Sequence, residues 1–216
     1  MKRSILFLLV LALATVPAEA RKHKKSGGTE PSQFDYYLLA LSWAPNYCAG
    51  HPSDHSSECR PGAHVTFVLH GLWPQSADGA PPMSCAPARP VAEATVRHML
   101  EYMPSASLIQ HEWEKHGTCT GLAAGDYFEK VEQAYKSVKV PDQYRSLDRT
   151  RTFDIRAIEQ SFATANNAPV DAFRISCHDS DLVSVDVCLD KNLKFQACTR
   201  SARECRVSSV QVNPPK

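Results

Sequence analysis

From residue 34 onward the spacing of apolar positions changes twice. Residues 36–43 are an almost unbroken apolar run, and over 64–70 Val65, Phe67 and Leu69 alternate with their neighbours. Both stretches read as strands. Residues 45–62, rich in His, Ser and Pro, read as loop, and so does the proline-rich stretch 74–90. The spacing then becomes helical. Residues 91–103 bring Val96, Met99, Leu100 and Met103 to one face, and a second, shorter helix is expected over 108–116. A third starts at Asp126, where Asp126 and Glu129 form a capping-box-like opening ahead of Phe128, Val131, Tyr135 and Val138. A fourth runs from Thr152, with Ile155, Ile158 and Phe162 in register. Alternation returns over 172–177, 182–188, 194–197 and 205–212. Strands at both ends with helices between predict an α+β fold, an antiparallel or mixed β-sheet with helices packed mainly on one side. No internal repeat is present.

The first twenty residues fit an export address and not a folded element. Lys2 and Arg3 precede an apolar run over 5–16, and Ala18-Glu19-Ala20 supplies small residues for cleavage. That run is too short to span a bilayer comfortably, so no membrane association is expected once it is removed. Residues 21–33 are then a basic, flexible leader, and 34–216 a single domain stapled by disulfides. All eight cysteines (Cys48, Cys59, Cys85, Cys119, Cys177, Cys188, Cys198, Cys205) follow the signal. An even number in an exported chain points to four disulfides, whose pairing the spacing leaves open. The expected location is secreted or periplasmic, and a monomer is expected. No Asn-x-Ser/Thr acceptor occurs.

Composition narrows the function. A hydrophobic share of 43% over 216 residues excludes a disordered chain. The net charge is +1, and removal of 1–20 leaves 22 basic and 22 acidic residues. Such neutrality argues against coating nucleic acid by bulk charge, but not against gripping one or two phosphates.

Two clusters carry chemistry. In the first, a strand is expected to end at His70, with Gly71 and Pro74 turning the chain and leaving His70 and Trp73 at the sheet's end. In the second, His111, Glu112, Lys115 and His116 share an arc of about 140° on a helix, with Trp113 beyond it free to pack inward. Two imidazoles can act as acid and base on one substrate, and a lysine can meet charge developing on a phosphoryl oxygen. Zinc is the alternative for three histidines near a carboxylate. Here, however, Lys115 stands where the His-Glu-x-x-His pattern needs its second ligand, so no metal or other cofactor is expected. An acid, a base and a cation suit metal-free cleavage of RNA through attack by the ribose 2′-hydroxyl. A metallohydrolase and a binding protein that needs no turnover remain as alternatives.

His70-Gly71-Leu72-Trp73-Pro74 and His111-Glu112-Trp113-Glu114-Lys115-His116-Gly117-Thr118-Cys119 resemble the two active-site segments of the ribonuclease T2 family. Residues 35–48 are similar to that family's opening strand, 152–158 to a later helix and 183–198 to its closing strands. The resemblance implies an endoribonuclease that cleaves single-stranded RNA, but not DNA, to a 2′,3′-cyclic phosphate and then more slowly to a 3′-phosphate. It implies His70 as general acid and His116 as general base. Glu112 and Lys115 would stabilise the five-coordinate phosphorus, His111 would hold phosphate, and Trp73 would offer a stacking face. Gln75 stands where some relatives carry an acidic base-reading residue. The implied disulfides are Cys48–Cys59, Cys85–Cys119, Cys177–Cys205 and Cys188–Cys198.

Overall fold

The computed structural model describes residues 33–199 and 205–215. The expected signal and all but the last residue of the leader lie outside that range. Six strands form one sheet: β1 (Tyr36–Trp43), β2 (Phe67–Gln75), β3 (Arg151–Asp154), β4 (Phe173–His178), β5 (Asp181–Leu189) and β6 (Ser209–Val212). The path runs β2-β1-β5-β6-β3, with β4 also paired to β5. The pairings are antiparallel except for one parallel contact, Asp181 with Gln211, between β5 and β6. The helices are α1 (Ala44–Gly50), α2 (Glu93–Met99), α3 (Ala106–Lys115), α4 (Ala124–Ser137) and α5 (Ile155–Asn166). The α+β class expected from the sequence is the one observed.

β1 is apolar on both faces because both are covered. Tyr37, Leu39, Leu41 and Trp43 join the main core with Phe67, Leu69 and Leu72 of β2, Phe128 and Val131 of α4, and Ile158 and Phe162 of α5. Tyr36, Leu38 and Ala40 point the other way, into a small cluster with Cys188, Cys198 and Trp73. Helices thus cover one face, while the other keeps a shallow apolar patch and the open ground on which the site is built.

Several expected boundaries move. The loop expected over 45–62 opens with α1, where Pro45 sits in the first turn with its φ already helical and no N–H to strand. β2 does not end at His70 but continues through Gly71 and Pro74 to Gln75. Pro74 is tolerated because β2 is an edge strand and need not donate on both sides. α4 starts at Ala124, so Asp126 lies inside its first turn, where a negative charge suits the helix dipole, and does not cap it. Residues 151–154 are β3, and Asp154 caps α5 by accepting from the Ala157 N–H at 3.1 Å. The strand expected over 194–197 reduces to a single bridge, Leu189 with Phe195. α2 covers only 93–99, and β6 only 209–212.

Candidate active site

A bulge in β2 sets up the site. Ala40 pairs with Gly71 and Leu41 with Leu69, which leaves His70 as the extra residue. The inserted residue lets Leu69 and Leu72 both reach the main core, while His70 and Trp73 come out on the open face. Ser42 of β1 meets His70 there, with Oγ 3.0 Å from Nδ1. The sequence does not single out Ser42, although a small polar side chain in the run YYLLALSW is a visible anomaly.

α3 supplies the facing groups. Its N-terminus is capped by Ser105, whose Oγ accepts from the Leu108 N–H at 3.2 Å. Glu112 is 1% exposed. One carboxyl oxygen accepts from the Trp73 indole N–H at 2.7 Å, and the other lies 3.6 Å from His70 Nε2. A Cβ on Gly71 would fall 1.9 Å from that first oxygen, so the bare backbone is what lets the carboxyl enter. The helix stops at Lys115 and His116 departs from helical geometry at φ −121°. That departure lays the His116 ring against the Trp73 indole, 5.1 Å between centroids and nearly parallel. His70 meets the same indole edge to face at 5.6 Å. The single helical arc expected for His111 to His116 is therefore broken at its last member. Trp113 packs inward on Tyr127 as expected, and Gly117 makes room for both, since a Cβ there would clash with each ring. The Cys85–Cys119 disulfide ties the end of this segment to the proline-rich loop.

Burial controls the charges. The Glu112 carboxyl is pushed up to about 8 by loss of water, partly opposed by the indole N–H. Burial, reinforced by the nearby His111, also lowers His70. His116 is pushed down to about 3 by burial and by His111, His70 and Lys115. Its Nδ1 is buried with no hydrogen-bond partner among the described residues. Burial thus favours the neutral form of the Glu112 carboxyl and of the His70 and His116 imidazoles.

A groove of about 950 Å³ opens beside this cluster over the bare face of the sheet. His70, Trp73 and His111 line it, as do Ser42, Ser184 and Asp186 from the sheet floor. Glu112, Lys115 and His116 are not among the lining residues. Gln75 does not reach the groove. It is buried, with its amide 3.5 Å from the Trp73 carbonyl. No Lys or Arg lines the groove among the described residues. Among the described residues, no three of His, Cys, Asp and Glu are grouped so as to hold a metal ion. The four disulfides pair as the resemblance implied, Cys48–Cys59, Cys85–Cys119, Cys177–Cys205 and Cys188–Cys198.

The chain is similar to known proteins both in sequence and in fold. The chain is 42% identical over 125 residues to a ribonuclease of Aeromonas hydrophila, covering 58% of this chain and 54% of that protein. It is 36% identical over 137 residues to a probable ribonuclease of Haemophilus influenzae, covering 56% and 50%. The chain thus spans about half the length of these curated relatives. In fold it is similar to trichomaglin, an S-like ribonuclease, with a TM-score of 0.69 at 21% identity over 85% of this chain and 100% of that one. The model of the ribonuclease T2 family matches residues 34–198, and the chain belongs to that family.

Proposed function

We propose that the chain is an endoribonuclease that cleaves single-stranded RNA, not DNA, by metal-independent transphosphorylation to a 2′,3′-cyclic phosphate, with slower hydrolysis to a 3′-phosphate. The observation that carries this reading is the shared indole: His70 and His116 both rest on Trp73, and Glu112 is bonded to its N–H. His116, held neutral, takes the proton from the 2′-hydroxyl, and the alkoxide attacks phosphorus in line. His70 gives a proton to the leaving 5′-oxygen. Arrival of the phosphate anion raises its affinity for that proton. Nδ1 is engaged by Ser42 Oγ, so the proton is traded at Nε2, the nitrogen nearer Glu112. Because burial keeps Glu112 neutral, it can donate to a phosphoryl oxygen where an ionised carboxylate would repel it. Lys115 adds positive charge as the phosphorus becomes five-coordinate. His111, exposed on the groove wall, contacts phosphate. The role given to Trp73 shifts with the geometry: one face is covered by His116, so it aligns the two rings as well as lining the groove. Export through residues 1–20, a single catalytic domain over 34–216 and action as a monomer outside the cytoplasm belong to the same proposal.

The test is digestion of a defined oligonucleotide in excess EDTA, with the 3′ ends identified by mass. Cyclic phosphates followed by 3′-phosphates are expected, with DNA and 2′-O-methyl RNA untouched. His70→Ala and His116→Ala should each lower the rate by roughly 10²–10⁴-fold. Cleavage of DNA, or full activity in either variant, overturns the proposal.

A further inference from the structure

Burying a polar group costs free energy unless a partner meets it, so each buried polar side chain calls for a reason. Among the described residues these are Gln75, Glu112, Glu159, Ser184 and Asp186. Glu112 belongs to the site, Arg156 meets Glu159 at 2.9 Å, and Gln75 closes the end of β2. Ser184 and Asp186 remain. They stand two apart on β5, so both face the groove, and the Ser184 hydroxyl donates to an Asp186 oxygen at 2.7 Å. The reaction gives neither of them a part.

β1 lies between this pair and the candidate acid. Ser42 is the register partner of Ser184 across the antiparallel β1–β5 ladder, and its Oγ lies 3.0 Å from His70 Nδ1. Side chains directly opposite on neighbouring strands have Cβ atoms about 4.5–5.5 Å apart, a span that one water bridges between hydroxyls. Counting hydrogens then fixes the order of donors. An ionised carboxylate only accepts, so Ser184 spends its single hydrogen on Asp186. The Ser184 oxygen is left to accept from the Ser42 side. Ser42, its own hydrogen spent in that direction, accepts from Nδ1–H. We infer that Ser184 and Asp186 are positioning residues for His70, the far end of a chain from Nδ1–H through Ser42 and Ser184 to the Asp186 carboxylate. The inference rests on the reading above, since it takes His70 as the acid.

Such a chain acts on His70 twice. It favours the imidazolium, whose Nδ1–H is the stronger donor. Once Nε2 has delivered its proton to the leaving oxygen, the ring keeps its hydrogen on Nδ1, the tautomer that the chain prefers. Other charges also bear on these groups. Glu112 and His111 face His70 from α3 and His116 from just beyond it, with Asp54 and Glu58 across the groove. Arg174 of β4 stands opposite Asp186 in register. All of them stay in place in the variants below, so a change reports the chain.

The test is nitrogen NMR of protein labelled in its histidine rings, with His70 assigned by the signal lost in His70→Ala. In the wild type the neutral His70 ring should carry its hydrogen on Nδ1. Ser184→Ala, which leaves the Asp186 charge in place, should lower the His70 midpoint by roughly 0.5–1 pH unit, the value of one hydrogen bond. Asp186→Asn should lower it at least as far. Ser42→Ala combined with Ser184→Ala should do no more than Ser42→Ala alone. Ser176→Ala, opposite Ser184 on β4 but off the chain, should leave the midpoint unmoved. The alkaline limb of the kcat profile should move with the midpoint. An Nε2–H tautomer, an unmoved midpoint in Ser184→Ala or in folded Asp186→Asn, additive effects in the double variant, or an equal shift in Ser176→Ala overturns the chain. Parallel digestion of RNA separates the two readings. A His70 that titrates as expected in a protein that leaves RNA intact keeps the chain and removes the reaction. Cleavage with an unresponsive His70 removes the chain alone.

Discussion

Gly71 is the smallest residue of the site and among the least replaceable. A methyl group there would meet Glu112 Oε2 at 1.9 Å and Trp73 Nε1 at 2.6 Å, two atoms already bonded to each other. Gly71→Ala should expel the carboxyl, destabilise the fold by about 1–3 kcal/mol and depress RNA cleavage with it. Denaturant melts and a cleavage assay check both, and unchanged activity would show that Glu112 need not sit where it does. Glu112 also sets a pH dependence. Its carboxyl binds a proton more tightly in the fold than in the unfolded chain, up to about 8. The stability it contributes is complete below the ordinary carboxylate range and is lost as pH rises through about 8. Relative to wild type, Glu112→Gln should gain in Tm as pH is raised across that window, and a constant difference would contradict burial as the cause. His116 acts in the opposite sense, its contribution present above the usual imidazole value and lost as pH falls toward about 3.

The strands and helices were legible where side-chain spacing is regular. β1, β5 and α3 fall within two residues of expectation because long apolar runs and a short helical stretch announce themselves. β2 was not, since Gly71 and Pro74 argue for a turn on local preference. Only the neighbouring β1, which pairs with β2 along its length, keeps it extended past them. The bulge at His70 was equally hidden: it exists in the register between two strands, and a single segment carries no register. Both histidines, Glu112 and Trp73 could be named from the sequence, but not the shared indole that joins them. Gln75 was placed by position alone; alternation puts it on the face of Trp73, but it is buried at the end of β2 and does not line the groove. Ser42 belongs to this scale too, reaching His70 from the next strand. If its oxygen accepts from Nδ1–H, removing it disfavours the imidazolium. Ser42→Ala should then move the alkaline limb of the pH–rate profile to lower pH and reduce kcat more than it raises KM. An unshifted limb would leave the hydroxyl a packing role only.

Across the whole molecule, charge and covalent stapling govern behaviour. With no Lys or Arg among the described residues that line the groove, RNA bound there would displace few counterions. The logarithm of kcat/KM should fall with log salt at a slope of roughly −1 to −2, shallow beside that of strongly basic nucleases. A steep slope would place additional cations on the RNA path. The main core is shared by the sheet and four of the helices, so the two halves of the site are held by one packed body. They are also joined covalently, because Cys85 leaves the chain just beyond β2 and meets Cys119 just beyond α3. A single cut in the proline-rich stretch between residue 85 and α2 would divide the polypeptide into one fragment bearing His70 and another bearing His116. The fragments would stay tethered, and a nicked molecule would go on working unnoticed until a reductant let its halves drift apart.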